Sequence, residues 1–334
     1  MTQSRNRQFV LTEIPKGKLG LEHFVLQESA MPQPDDGEVL IKVRYISIDP
    51  ANRAWMQGKT YRDAVKAGDI MAGYALGDVV QSRHPKFKRG DLVSGDCGWQ
   101  ENAVRPGEQL QKLRSMEPVT HLMSVYGITG LTAYFGLLEI GTPQPDETLV
   151  ISAAAGAVGS VAGQIGKIKG CRVVGITGSD EKCAWLTSDL GFDAAINYKK
   201  QDLHTALRQA CPDGIDIYFD NVGGDILEAV LFQTKMHGRI ICCGMVSGYD
   251  GELPANGPRG IPGLLVVNRI TMRGFIVMDF LEKFGQALKP LADWVATGRI
   301  QVKEDVIDGL ENTPKALIGL LHGENYGKRM VKVS

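Results

Sequence analysis

The feature that most constrains this chain lies near its middle. Thr148-Leu149-Val150-Ile151-Ser152 is a short apolar run, and Ala153-Ala154-Ala155-Gly156-Ala157-Val158-Gly159 follows directly, ahead of helix-forming sequence to Lys169. The uncharged stretch from Thr148 to Gly166 is long enough to suggest a membrane span. Its four Gly, five Ala, two Ser and one Gln make it small rather than greasy, so a strand, a tight turn and a helix start describe it better. That junction suits a dinucleotide. Ala154 takes the first glycine slot, Gly156 lets backbone approach a pyrophosphate, and Gly159 lets helix and strand pack closely. The helix start at Ala157 and Val158 then offers free N–H groups and a positive dipole end to phosphates. Small residues also pack many helices, so the strand–turn–helix context carries the reading.

The flanking sequence repeats the same rhythm. Strands are expected at Arg172–Thr177, 194–196, 215–219 and 239–243, with helices at Asp180–Leu190, near 201–210, and at Asp225–Thr234. Alternation of this kind predicts parallel βαβ units and a doubly wound Rossmann sheet. Ile270 to Val277 is expected to add an edge strand and Phe280 to Thr297 a closing helix. Before residue 126 the pattern differs. Glu38–Ser47 alternates and is β-branched, and strands at 78–82 and 91–95 are punctuated by Pro and Gly, which predicts a small barrel-like β domain. Short strands return at 303–307 and 329–333. The fold class is therefore α/β, with the parallel-sheet domain (126–299) inserted in a discontinuous β domain (1–125 plus 300–334).

The end of the second strand bears on cofactor choice. An NAD site carries an acid there to hold the ribose hydroxyls. This chain has Ile176-Thr177-Gly178-Ser179, then Asp180 as the expected helix cap and Lys182 one turn in. Thr177 and Gly178 edge the site, Ser179 can donate to a phosphate and Lys182 supplies positive charge, so NADPH/NADP+ is favoured. The plain alternative for Lys182 is a solvated helix surface. Asp220-Asn221-Val222-Gly223-Gly224 ends the fourth strand, where Asn221 reads equally as a nicotinamide or ribose contact and as a turn signal.

Composition narrows the function classes. Lys plus Arg is 37 and Asp plus Glu 38, a net charge of −1, which leaves no footprint for nucleic acid or an anionic membrane. Six cysteines without a C-x-x-C pair fit a reducing cytoplasm, and the N-terminus leads into no apolar signal core. The six histidines are scattered, so no metal site is expected. Cys242 and Cys243, adjacent on a strand, read as buried structural thiols. No G-x-S-x-G elbow or phosphate-loop lysine is present.

Seven stretches together resemble one family: Ser47-Ile48-Asp49-Pro50 with Arg53, Tyr126 to Tyr134, Ala153 to Gly159, Gly178 to Lys182, Ile196-Asn197-Tyr198, Asp220 to Gly224, and Gly323-Glu324-Asn325-Tyr326-Gly327-Lys328. The chain resembles the zinc-independent medium-chain dehydrogenase/reductases, most closely the NADPH-dependent alkenal double-bond reductases and prostaglandin reductases. The resemblance implies a Rossmann domain enclosed by a GroES-like β-barrel domain, and a homodimer. It implies that Lys182 and Tyr198 hold the 2′-phosphate, that Asn221 and Asn325 surround the nicotinamide and its ribose, and that Tyr249 lines the substrate site beside Asp49 and Arg53. Ala51-Asn52 replaces a bulky Tyr-Met pair of many relatives, which implies a wider or more polar pocket, and Ile128-Thr129 replaces a Met/Leu-Pro step. The expected reaction is hydride transfer to the β-carbon of an α,β-unsaturated aldehyde or ketone, with Tyr249 as a candidate donor. Quinone reduction on the same residues, and NADPH binding without turnover, stand as alternatives. The Gly/Pro-rich run Gly251 to Gly263 is either a lid or a long surface connection.

Overall fold

The computed structural model describes residues 5–251, 257–258 and 260–333. In the first third, β1 (Arg5–Leu11) and β2 (Phe24–Ala30) form an antiparallel pair. Then come β3 (Glu38–Ser47), a single helical turn α1 (Ala51–Ala54), β4 (Tyr74–Ser82), β5 (Leu92–Asp96), β6 (Asn102–Pro106) and β7 (Gln111–Leu113). The middle carries α2 (Ile128–Phe135), β8 (Thr148–Ser152), α3 (Ala157–Ile168), β9 (Arg172–Thr177), α4 (Asp180–Ser188), β10 (Ala194–Asn197), α5 (Leu203–Ala210), β11 (Ile215–Asp220), α6 (Gly224–Leu231), β12 (Thr234–Cys242), α7 (Ile261–Asn268), β13 (Thr271–Gly274) and α8 (Phe284–Ala296). The tail adds β14 (Glu304–Asp308), α9 (Thr313–Leu321) and β15 (Lys328–Lys332).

The central strands form one parallel sheet in the order β10-β9-β8-β11-β12-β13. The order reverses between β8 and β11, so their carboxyl ends make the crevice where doubly wound sheets bind ligands. All five residues of β8 are buried because helices cover both sheet faces, which explains its unbroken apolar run. The glycines of α3 allow close approach. A Cβ on Gly166 would lie 2.5 Å from Leu149 Cδ2, and one on Gly163 would enter the Phe192 ring.

The second large sheet runs β14-β15-β3-β4-β5-β7, with β6 on β3. The C-terminal strand β15 pairs antiparallel with β3, Met330 opposite Ser47, so the C-terminal segment joins the sheet and core of the first third. The return also meets the other lobe. Gly327 N–H donates to Ala155 O at 2.8 Å, so the segment entering β15 crosses the glycine turn.

Four local expectations are revised. Ser179, not Asp180, caps α4: its Oγ accepts from Lys182 N at 3.3 Å, which an aligned Asp180 one residue later cannot do. The closing helix begins at Phe284, after a 3₁₀ stretch over Val277–Lys283. β12 ends at Cys242, and Cys242 and Cys243 are half-buried rather than buried. In the tail, α9 packs Ala316 and Leu317 into the β-lobe core between the two expected strands. The Gly251–Gly263 run lies partly outside the described residues; its end is the start of α7.

Candidate functional site

The site grows from the ends of β8 and β11. Asn221 N–H donates to Ser152 Oγ at 2.9 Å and its Nδ2 to Ser152 O at 2.8 Å, stitching the two strands together at the switch point. Beneath it, Asp220 Oδ1 accepts from Tyr218 OH, Val222 N and Gly223 N at 2.8, 3.0 and 2.8 Å. Burial pushes the Asp220 carboxyl above its ordinary value even against these donors. The turn has a structural task, with Asn221 bonded to Ser152, and Asn221 also lines the cavity that opens here.

That cavity has a volume of about 1140 Å³ and lies between the two lobes. Its floor is the glycine turn. Ala153 takes a left-handed conformation (φ 47°), and Gly156, at the N-cap of α3, has no side chain to cap it. The first intrahelical bond runs from Ser160 N to Gly156 O at 3.0 Å, which leaves the N–H groups of the first turn facing the cavity. A Cβ on Gly159 would stand 2.5 Å from Ala153 O and 2.8 Å from Ala154 Cα. Ala154 itself is fully buried behind the turn, so it serves the packing of strand on helix while Ala155, Gly156, Ala157 and Val158 line the cavity.

One end of the cavity is basic. Thr177 and Gly178 edge it, and Lys182, Tyr198 and Lys199 close it. Lys182 is 7% exposed, so it is no solvated surface lysine. Its Nζ donates to Gly323 O at 2.5 Å and sits 5.1 Å from the centre of the Tyr326 ring. Burial, with help from Arg329 and Lys199, draws its pKa below the ordinary lysine value. Among the described residues no carboxylate pairs with it, whereas the Asp180 carboxylate is taken up by Lys200 and Asn197 and held below the usual range. Ser179 is turned to its capping role and does not line the cavity. Lys199 was missed in the sequence. Its signal was the Tyr198-Lys199-Lys200 run after β10, which lies beside β9 in the sheet.

The other end meets the β lobe. Asp49, Ala51, Trp55 and Tyr61 face Val246, Tyr249 and Met278 across the cavity. Asp49 Oδ1 accepts from the buried Lys328 Nζ at 2.7 Å, and Ser47 Oγ donates to its Oδ2. Tyr249 OH accepts from Met245 N at 3.2 Å, so its own proton is free for a ligand. Asn325 lines the wall between the two ends while its Nδ2 donates to Gly327 O at 2.9 Å. Of Ala51 and Asn52, Ala51 faces the cavity. Asn52 is turned away, donating to Ala72 O at 3.1 Å and accepting from Asp49 N at 2.8 Å. Ile128 and Thr129 both line the cavity. Arg53 does not; it is 1% exposed and lies behind the wall. Cys243 touches the cavity, and burial pushes its thiol up to about 12.

The cavity fits a phosphorylated dinucleotide. The turn is a cradle that Gly156 leaves open and Gly159 lets pack closely, free N–H groups stand at mid-length, and Lys182 and Lys199, without a carboxylate partner among the described residues, close one end. Among the described residues, no group of three or more His, Cys, Asp or Glu is placed to hold a metal ion, and no helix is long and apolar enough to cross a membrane.

Comparison with known proteins agrees with this architecture. A family described as the N-terminal domain of oxidoreductase matches residues 7–113, and one described as zinc-binding dehydrogenase matches residues 157–294. The chain is 41% identical to an NADPH-dependent curcumin reductase of Escherichia coli, covering 99% of this chain and 98% of that one. It is 42% identical to an NADP(+)-dependent 2-alkenal reductase of Nicotiana tabacum, covering 89% and 88%. The crystal structure of CurA from Vibrio vulnificus in complex with NADPH superposes with a TM-score of 0.93 at 40% identity, covering 98% of this chain and 99% of that one. Matched in both lobes and along nearly its whole length, the chain belongs to the medium-chain dehydrogenase/reductase superfamily.

Proposed function

We propose that this protein is an NADPH-dependent reductase of carbon–carbon double bonds conjugated to an aldehyde or ketone. The observation that carries the reading is one continuous cavity that joins a basic end at Lys182 to the Tyr249 phenol across the glycine turn. The relatives named for reducing a 2-alkenal and curcumin with the same cofactor support it.

NADPH, when bound, supplies the hydride. Lys182, Tyr198 and Lys199 hold its 2′-phosphate, the first-turn N–H groups of α3 its diphosphate, and Asn221 and Asn325 the nicotinamide end. The protein's own task at the reacting end is electrostatic. Hydride addition at the β-carbon leaves negative charge on the carbonyl oxygen, and a preorganised donor lowers that barrier. Tyr249 meets the need: its oxygen is already engaged by Met245 N–H, which leaves the O–H to point at the substrate. The α-carbon then takes a proton from Tyr249 or from water.

Tyr249→Phe should lower kcat by roughly 10²–10³, the loss of one oxyanion donor at about 2.7–4 kcal/mol. NADPH affinity should hold in a fluorescence titration. An unchanged kcat removes Tyr249 from the mechanism, and turnover of a quinone with none of an enal or enone sinks the substrate assignment.

Three further points belong to this reading. We assign residues 1–125 and 300–334 to the substrate domain and 126–299 to the cofactor domain. The protein works in the reducing cytoplasm, in keeping with six free cysteines. It is a homodimer joined at the β13 edge of the parallel sheet, where α7 exposes Val266 at 75% and Val267 at 65%.

A further inference from the structure

The resemblance placed Arg53 in the substrate pocket, but the structure puts it behind the wall, on a different task. Arg53 Nε donates to Asp250 Oδ1 at 3.3 Å, across 197 positions of sequence, and its Nη2 donates to Gly17 O at 2.7 Å. Asp250 Oδ1 also accepts from Leu19 N at 2.7 Å. Gln57 Nε2, one turn beyond Arg53, donates to Tyr249 O at 2.9 Å and reaches Gly248 O at 3.4 Å. Two segments of the β lobe, 17–19 and 53–57, therefore close on three consecutive residues of the other lobe, with Tyr249 in the middle.

We propose that Arg53 and Asp250 form a latch between the lobes that positions the Tyr249 hydroxyl against the substrate wall. The proposal rests on the reading of Tyr249 given above. On its own side, among the described residues, the Tyr249 loop is tied down through the tyrosine, whose N–H donates to Val246 O at 3.2 Å, and through the residues before it. Ser247 Oγ donates to Val222 O at 2.6 Å, and Val246 N to Asn221 O at 3.2 Å. Asp250, directly after the tyrosine, is held by Arg53 and Leu19 N. The facing wall, Asp49 and Ala51, sits on the same β-lobe segment as Arg53, so the latch sets the spacing between phenol and wall. The chemistry of the pair suits a fixed part. Arg53 is 1% exposed, and among the described residues its Nη1 has no partner and Asp250 is the carboxylate paired with its charge. Taking away one partner of such a pair leaves the other charge uncompensated, which makes the closed arrangement sensitive to either residue. The guanidinium serves Gly17 O and Asp250 together through two nitrogens of its rigid, planar fork. Arg53 and Asp250 are thus positioning residues, acting through Tyr249.

The test is a double-mutant cycle on the full chain with an enone substrate, following kcat, KM and NADPH affinity. Asp250→Ala should lower kcat by about tenfold or more, since displacement of a catalytic group by an ångström costs up to ~10²-fold. NADPH affinity should shift less than about twofold, because the cofactor contacts lie at the other end of the turn. Asp250→Asn, which keeps an acceptor for Leu19 N and Arg53 Nε, should restore much of kcat. In a Tyr249→Phe background the Asp250→Ala effect should largely vanish. Gln57→Ala, on an exposed side chain, is the milder arm and should show the same direction should Asp250→Ala fail to fold. Additive losses in the cycle, or wild-type kcat in Asp250→Ala or Gln57→Ala, overturn the latch alone. Wild-type kcat in Tyr249→Phe overturns the role of Tyr249 and, with it, the latch.

Discussion

Lys182 shows how much one side chain's surroundings add to its identity. Its charge is buried, bonded to Gly323 O and lying over Tyr326, with no carboxylate partner among the described residues. A dianionic 2′-phosphate would supply the missing counter-charge, so Lys182→Ala should weaken NADPH by about 1.5–3 kcal/mol, roughly ten- to hundredfold, while NADH is little affected. Parallel titrations of the two cofactors decide it, and equal losses would contradict the phosphate role. A pH dependence follows with a definite sign. Phosphate binding favours the protonated amine, and burial brings that amine's pKa below 10.5. NADPH affinity should therefore fall as pH rises through the alkaline range below 10.5, earlier than an exposed lysine would lose its charge, and NADH affinity should stay flat. Lys182 was visible in the sequence by its distance from the glycine turn. Lys199 was not, because its approach depends on β10 lying beside β9.

At the level of elements, the strand–turn–helix junction does the most. Gly159 has no room for a side chain over Ala153 O and Ala154 Cα. Gly159→Ala should cost about 1–3 kcal/mol in thermal or denaturant unfolding, the usual penalty of overpacking, and should weaken NADPH by displacing the turn. A variant with unchanged melting and cofactor binding would show that the turn yields freely. This junction, its neighbouring strands and the C-terminal strands were legible because each is written in a local pattern: an apolar run, small residues, then helix formers. The cap of α4 was misassigned because Ser179 and Asp180 are both good caps, and only backbone direction separates them. The helix α9 went unread between two short strands, where its apolar residues complete a core assembled from distant β strands.

The whole molecule joins its parts in two places that no local pattern announces. The chain's end pairs with β3, and on the way Gly327 crosses the glycine turn. That crossing brings Gly323 to Lys182 and Asn325 to the cavity wall, so one short segment serves both lobes. The exposed valines of α7 and the open edge of β13 favour pairing of two copies. Val266→Asp with Val267→Asp should shift the protein toward monomer in sedimentation velocity, with NADPH binding per chain kept. A wild-type protein that sediments as a monomer at working concentration would remove the dimer.

What the sequence by itself determined is the parade of elements and the kind of ligand they cradle. Period-two and helical patterns, the small-residue turn and the missing acid after β9 all act over a few residues and leave their mark in local order. Only the tertiary structure decided which side chains meet. Arg53 turned out to grip Asp250 instead of the cavity, Asn52 faced away while Ala51 faced in, and Lys199 joined Lys182. Each outcome depends on how segments up to about two hundred positions apart pack, and the direction of a side chain across such a gap is set by the core between the lobes.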